Sequence, residues 1–294
     1  MAATYQTLTT RDGRQLEYLD TGSAGTGNTL LFHVGTPNCA AIYTVIGAPA
    51  AALGLRLVCY SRPGYGQSSE QPSRSVADTV ADAAAVLDQL GIDQFVTLGW
   101  SGGGPHALAC AALLPDRCRA AASLAGAGPH GVAGLDFLAG MDEANVEEFS
   151  TAEAGFEALD GYLNGLRGEL DHVTAASIVE GLAGLLSEVD QQALTGQLAE
   201  EMAAAMRRTM AAGIAGWRDD DLAFVKDWGF ALADIKVPVS VWRGEQDRMV
   251  PFAHGQWLAG AIPGARSHLY LGEGHISLVT KAESVLADLI EQAG

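Results

Sequence analysis

Short runs of bulky, largely apolar residues, bounded by Gly and Pro, recur along the chain. Residues 29–33 (Thr-Leu-Leu-Phe-His) and 55–60 (Leu-Arg-Leu-Val-Cys-Tyr) do not alternate polar with apolar. That is the pattern of strands covered on both faces of a parallel sheet. Residues 95–98 and 120–124 carry a weaker form of it, and 237–242 and 268–271 repeat it near the C-terminus. Residues 15–19 alternate instead, as an antiparallel edge hairpin with the first residues would. Helical spacing fills the gaps at 75–90 (closed by Gly91), 104–114 (closed by Pro115) and 284–292. Strand and helix in alternation predict an α/β fold with helices on both faces of the sheet.

The alternation stops near Gly128 and resumes at Val237. Between them, apolar residues fall at helical spacing, as in Phe156, Leu159, Leu163 and Leu166, and 192–212 is nearly free of β-branched residues. The reading is a core built from 1–128 and 236–294, with a helical lid inserted at 129–235. Charge marks the same block. The 294 residues carry 17 Lys and Arg against 35 Asp and Glu, a net charge of −18. Residues 130–235 alone hold 20 acidic and 5 basic residues, a net of −15. Solvated helix faces are the simplest account of that excess.

A chain so acidic repels nucleic acid and anionic membranes, and no apolar run approaches the roughly 20 residues that span a bilayer. The first twenty residues lack an apolar signal segment. Cys39, Cys59, Cys110 and Cys118 show no C-x-x-C spacing and read as reduced thiols in a cytoplasmic protein without a metal site. No cofactor motif is present.

One segment carries chemistry. Gly99-Trp100-Ser101-Gly102-Gly103 lies between a predicted strand and a predicted helix, the setting of a G-x-S-x-G nucleophile elbow. Ser101 is the candidate nucleophile, and it needs a base oriented by an acid. His275, in the glycine-rich loop after the last strand, reaches the same sheet edge. His106 is nearer in sequence, but five helical residues rotate it about 140° from Ser101. His268 falls within a strand, and His130, His172 and His254 lack a strand-end context. Asp247, in the loop leaving 237–242, is the candidate acid, with Glu245 as the alternative. The N–H groups of Gly102 and Thr36 are the candidate oxyanion donors. His33 is read as a structural residue bonding loop backbone.

The chain resembles the α/β-hydrolase superfamily in its small, lid-bearing cytosolic branch. The resemblance runs through His33–Pro37 as the oxyanion loop, 61–68 (Ser-Arg-Pro-Gly-Tyr-Gly-Gln-Ser) as a D-x-P-G-x-G-x-S turn, the elbow, Gly244…Asp247…Pro251 and Gly274-His275. Val34 interrupts the usual His-Gly pair, and Ser61 replaces an Asp, which weakens a structural hydrogen bond. The resemblance implies a mostly parallel eight-stranded sheet, an inserted cap and the order Ser101, Asp247, His275 of a catalytic triad. A serine nucleophile argues against the epoxide hydrolases and haloalkane dehalogenases and for acyl transfer. A small-molecule ester is the first expectation, through an acyl-enzyme. The alternatives are a proline iminopeptidase-like amidase using lid carboxylates, and a small-molecule receptor on a hydrolase scaffold. Phe149, Phe156, Leu163, Met206 and Trp217 are candidate pocket residues. In acidic runs such as Asp219-Asp220-Asp221, at least one side chain is expected in solvent.

Overall fold

The computed structural model describes residues 4–22, 28–182 and 184–294. Residues 1–3 and 23–27 of the expected core, and 183 of the expected insertion, lie outside the described residues. Among these, eight strands form one sheet: β1 (Gln6–Thr9), β2 (Gln15–Asp20), β3 (Thr29–His33), β4 (Arg56–Tyr60), β5 (Phe95–Trp100), β6 (Cys118–Leu124), β7 (Val239–Gly244) and β8 (Arg266–Tyr270). Their order is β1-β2-β4-β3-β5-β6-β7-β8. The pairs β1/β2 and β2/β4 are antiparallel, and every later pair is parallel.

The pleat sends successive side chains to opposite faces, and the buried strands show it. Leu30 and Phe32 of β3, with Ala120 and Ala122 of β6, join the cluster that holds α1 (Thr44–Ala52) and α11 (Ala282–Ala293). Leu31 and Ala121 join the opposite cluster, covered by α2 (Thr79–Gln89), α3 (Gly104–Leu113) and α10 (Phe252–Ala261). The helices differ from the sequence reading in two places. Helix α2 starts at Thr79, because Asp78 accepts from the N–H and hydroxyl of Ser75 and closes a turn first. Helix α1, with Gly47 and Pro49 inside it, is absent from the sequence reading.

Between β6 and β7 the described residues make six α-helices: α4 (Glu143–Glu153), α5 (Phe156–Leu170), α6 (Ala175–Gly181), α7 (Glu188–Ala193), α8 (Gly196–Ala211) and α9 (Ala215–Phe224). The stretch 192–212 is broken rather than continuous. Thr195 is extended (φ −136°, ψ 166°) and Gly196 is left-handed (φ 52°), so a new helix starts there. Ile178, Leu186, Leu194 and Leu198 join the α1/α11 cluster beside Tyr43, Trp100 and Ile276, which seats α6–α8 against the C-terminal edge of the sheet. No helix among the described residues is long and apolar enough to cross a membrane. All four cysteines are buried free thiols.

Candidate active site

The parallel register sets His33 of β3 beside Gly99 of β5, and Trp100 beside Leu124, which pairs with Trp242 of β7. The loops that follow β3, β5, β7 and β8 therefore open at one edge. Ser101 leaves β5 in a single 3-10 turn that runs into α3. Its φ of 54° lies in the left-handed region, a conformation that costs a residue with a side chain on the order of 1–3 kcal/mol. Glycines permit the turn. A Cβ on Gly99 would stand 2.1 Å from the Gly103 carbonyl oxygen, and one on Gly103 would stand 2.0 Å from that of His33. Ser101 itself stays half-buried.

Asp247 and His275 meet. His275 Nδ1 lies 2.8 Å from Asp247 Oδ2, which also accepts from Arg243 Nη1 at 3.0 Å. The backbone N–H groups of Met249 and Val250 donate to Oδ1 at 3.0 and 2.8 Å. Burial raises the pKa of this carboxyl, but His275 and Arg243 outweigh burial and hold it below the usual carboxylate range. In the neutral imidazole, an ionised acceptor at Nδ1 takes the ring proton there and leaves Nε2 with a free lone pair. The imidazole stands beside Trp100, ring centres 6.1 Å apart, next to the residue that precedes Ser101. Among the described residues no hydrogen bond joins Ser101 to His275. Such contacts are often loose before substrate arrives.

The other candidates lie elsewhere. The Glu245 side chain is exposed. His106 is buried against Thr79 Oγ1 at 2.9 Å, and burial with the charge of Arg62 lowers its pKa to about 4. His268 stacks on Trp242 at 3.7 Å, and His254 accepts from the Gly128 N–H at 3.0 Å. The reading of His33 needs correction. Its ring contacts Cys110 Sγ at 3.7 Å and stacks on His106, because the strand points it into the core rather than at the loop.

Thr36 and Gly102 are in contact: a Cβ on Gly102 would stand 3.0 Å from Thr36 N. What holds the Thr36 loop was not foreseen. Arg62 donates to the carbonyls of Val34 at 2.8 Å and Gly35 at 3.4 Å. A trans peptide points its C=O and N–H in opposite directions, so the Gly35 carbonyl on Arg62 turns the Thr36 N–H away from it. Asp220 of α9 accepts from the Thr36 hydroxyl at 2.6 Å, Tyr65 at 3.0 Å, Arg62 at 2.5 Å and Arg74 at 2.5 Å. Burial opposes its charge, but the two guanidiniums prevail and hold Asp220 well below the usual range. Ser61 donates to the buried carboxylate of Glu17 at 2.7 Å and accepts from the Ala40 N–H at 2.8 Å, so the bond expected to weaken at this position has its carboxylate from β2 instead.

The solvated-face expectation fails on α9. Asp219, Asp220 and Asp221 are all buried, each in different surroundings. Asp219 takes Arg218 Nε at 3.0 Å. Asp221 faces Glu148, and burial with that second carboxyl raises its pKa well above the usual carboxylate range. The missed signal was helical spacing: 220 and 221 lie three and four residues after Trp217, on the face that Phe224 continues. Arg243, ending an apolar strand, was a similar sign, because a buried charge requires a partner.

A cavity of about 280 Å³ opens between α5, α6 and α8, lined by Leu166, Leu170, Ile178 and Met206, with Asn38 from the loop after β3. Of the expected pocket residues only Met206 borders it. Leu163 and Trp217 pack into the core of α5, α8 and α9, Phe149 lies edge-on to Phe137, and Phe156 is exposed under the Arg218 guanidinium.

Residues 28–282 match the family model for the alpha/beta hydrolase fold. The chain is 27% identical to a bifunctional esterase/perhydrolase of Acinetobacter calcoaceticus, covering 96% of this chain and 97% of that one. It is 26% identical, over the same shares, to a non-heme haloperoxidase of Rhodococcus erythropolis. Among solved structures, the bromoperoxidase from Bacillus anthracis superposes with a TM-score of 0.72 at 22% identity, covering 98% of this chain and 100% of that one.

Proposed function

Because the chain belongs to the alpha/beta hydrolase fold family, we propose that it is a serine hydrolase cleaving small carboxylic esters, with Ser101, His275 and Asp247 as its triad. The observation that carries this reading is the 2.8 Å contact of His275 Nδ1 with an ionised Asp247, beside a serine held at φ 54°. In the proposed reaction Ser101 Oγ attacks the ester carbonyl carbon as Nε2 of His275 takes its proton. The N–H groups of Thr36 and Gly102 receive the oxyanion. Collapse expels the alkoxide, which leaves as the alcohol with the proton from His275. Water, deprotonated by the same imidazole, then releases the acid and regenerates Ser101. The helices at 129–235 serve as the lid over this edge, and the cavity beside Asn38 favours an apolar substituent on the substrate.

The amidase alternative needs a lid carboxylate waiting for an ammonium group. Asp219 and Asp220 are occupied by arginines, which favours the ester reading, and Asp221 is the member of that run left to the alternative. The relatives' names favour perhydrolysis as a second activity of the same site, with peroxide replacing water in the second step. Turnover of a chromogenic short-chain ester tests the reading. Ser101→Ala is expected to fold and to lose at least ~10³-fold in kcat. Unchanged turnover in that variant, or efficient release from a free-amine prolyl anilide, would overturn it.

A further inference from the structure

The base loop is held by a residue from the inserted helices. Asp190 of α7 is fully buried, and its carboxylate accepts three consecutive backbone N–H groups. Oδ2 takes that of His275, and Oδ1 takes those of Ile276 and Ser277, all at 2.8 Å. Ser187 donates its hydroxyl to Oδ2 at 3.0 Å. These are the free N–H groups at the start of the 3-10 turn Ser277–Lys281, which has no intrahelical partner for them. Two further contacts show that the arrangement is built. A Cβ on Gly274 would stand 2.2 Å from Asp190 Oδ2, so the glycine before His275 makes room for the carboxylate. Gly274 N–H donates to Ser277 Oγ at 2.8 Å, closing the loop on itself.

We propose that Asp190 is a positioning residue for His275, fixing the backbone of the base so that its imidazole is held between Asp247 and Ser101. The proposal rests on His275 being the general base. Asp247 holds the ring at Nδ1, but a hydrogen bond at one ring atom leaves the imidazole free to swing with its backbone. The clamp at His275 N removes that freedom. It also makes the seating of α7 a condition for an aligned base, although α7 supplies no group to the reacting atoms.

The test compares full-length Asp190→Ala, Asp190→Asn and Ser187→Ala with the parent chain, using ester kinetics, thermal melting and the low-field proton NMR signal of the His275 Nδ1–H. A misplacement near 1 Å costs about 100-fold, so Asp190→Ala is expected to lower kcat by about that factor with KM within about twofold. The single amide oxygen of Asp190→Asn can replace Oδ1 or Oδ2 but not both, and about a tenfold loss is expected there. The low-field signal is expected to broaden in both Asp190 variants. Ser187→Ala keeps all three N–H contacts and should stay within about threefold of the parent. If Asp190→Ala does not fold, Asp190→Asn decides alone. Parental kcat and an unchanged low-field signal in Asp190→Asn overturn the proposal whatever the melting temperature does. If the parent turns over no ester and Ser101 resists labelling, the hydrolase reading fails instead, and the NMR signal still decides whether Asp190 holds the ring.

Discussion

Two loops meet at the sheet edge, and each is held by a buried aspartate from the inserted helices, by different chemistry. Asp190 accepts neutral backbone N–H groups of the base loop. Asp220 sits between two guanidiniums, Tyr65 and Thr36, and reaches the Thr36 loop through side chains. The first clamp is local and directional: it sets three peptide groups. The second is ionic and shared: it ties α9 to the turn that carries Arg62, to Arg74 and to the loop of Val34–Thr36. Removing an ionic hub leaves charges buried without a counterion, whereas removing a backbone acceptor leaves dipoles. Loss of Asp220 should therefore register mainly in stability, and loss of Asp190 mainly in turnover.

The largest expected effect follows from that difference. Asp220→Ala leaves Arg62 and Arg74 facing each other inside the protein and is expected to cost about 3–5 kcal/mol. Chemical denaturation measures it. A loss below about 1 kcal/mol would show that the guanidiniums find other partners, and the contrast with Asp190 would collapse.

Acid should reveal the same ionic clamp. The folded pKa of Asp220 is depressed, so its contribution is complete above the unfolded value near about pH 4 and is lost as pH falls through the folded pKa. The parent is expected to lose stability below about pH 4 more steeply than Asp220→Asn. Parallel acid-denaturation curves would contradict the assignment.

Thr36→Val separates the loop from the hub. The hydroxyl to Asp220 is lost while the backbone N–H remains, so stability should fall by about 1 kcal/mol. Catalysis should fall as well, by up to about tenfold, as the loop loosens. Full activity with the stability loss would show that Arg62 alone orients the loop.

The smallest effect has the opposite sign. Asp221 has a raised folded pKa, so above the unfolded value the folded state holds a proton that the unfolded chain releases, and stability falls as pH rises. Asp221→Asn keeps a donor toward Glu148 and removes that cost. Its melting temperature at neutral pH is expected to rise by roughly 2–4 °C, and its stability to vary less between about pH 5 and 8. A lower melting temperature would show that the pair is ionised and held by another charge.

The two clamps also mark where sequence reading stops. Apolar runs bounded by Gly and Pro reveal strands, and Ser101, Asp247 and His275 each follow one, so their common edge was legible from chain order. The helices between β6 and β7 were legible by their spacing of apolar residues. Arg62, Asp190 and Asp220 were not, because the contacts by which the two aspartates hold the core loops join residues 85 to 184 apart, and no local period links them. An acidic run reads as solvated until its helix is docked. Here docking buried every member of Asp219-Asp220-Asp221, and the flanking Trp217 and Phe224 were the only local sign of it.

The central claim is that Ser101 is the nucleophile and that His275, oriented by Asp247, activates it. Mapping the residue modified by a fluorophosphonate tests this most directly, by peptide mass spectrometry with the labelling rate followed over time. The account predicts a single adduct on the peptide containing Ser101, with labelling slowed by about 100-fold or more in His275→Ala and less in Asp247→Asn. An adduct on another serine, or labelling of Ser101 at the parental rate without His275, would contradict it.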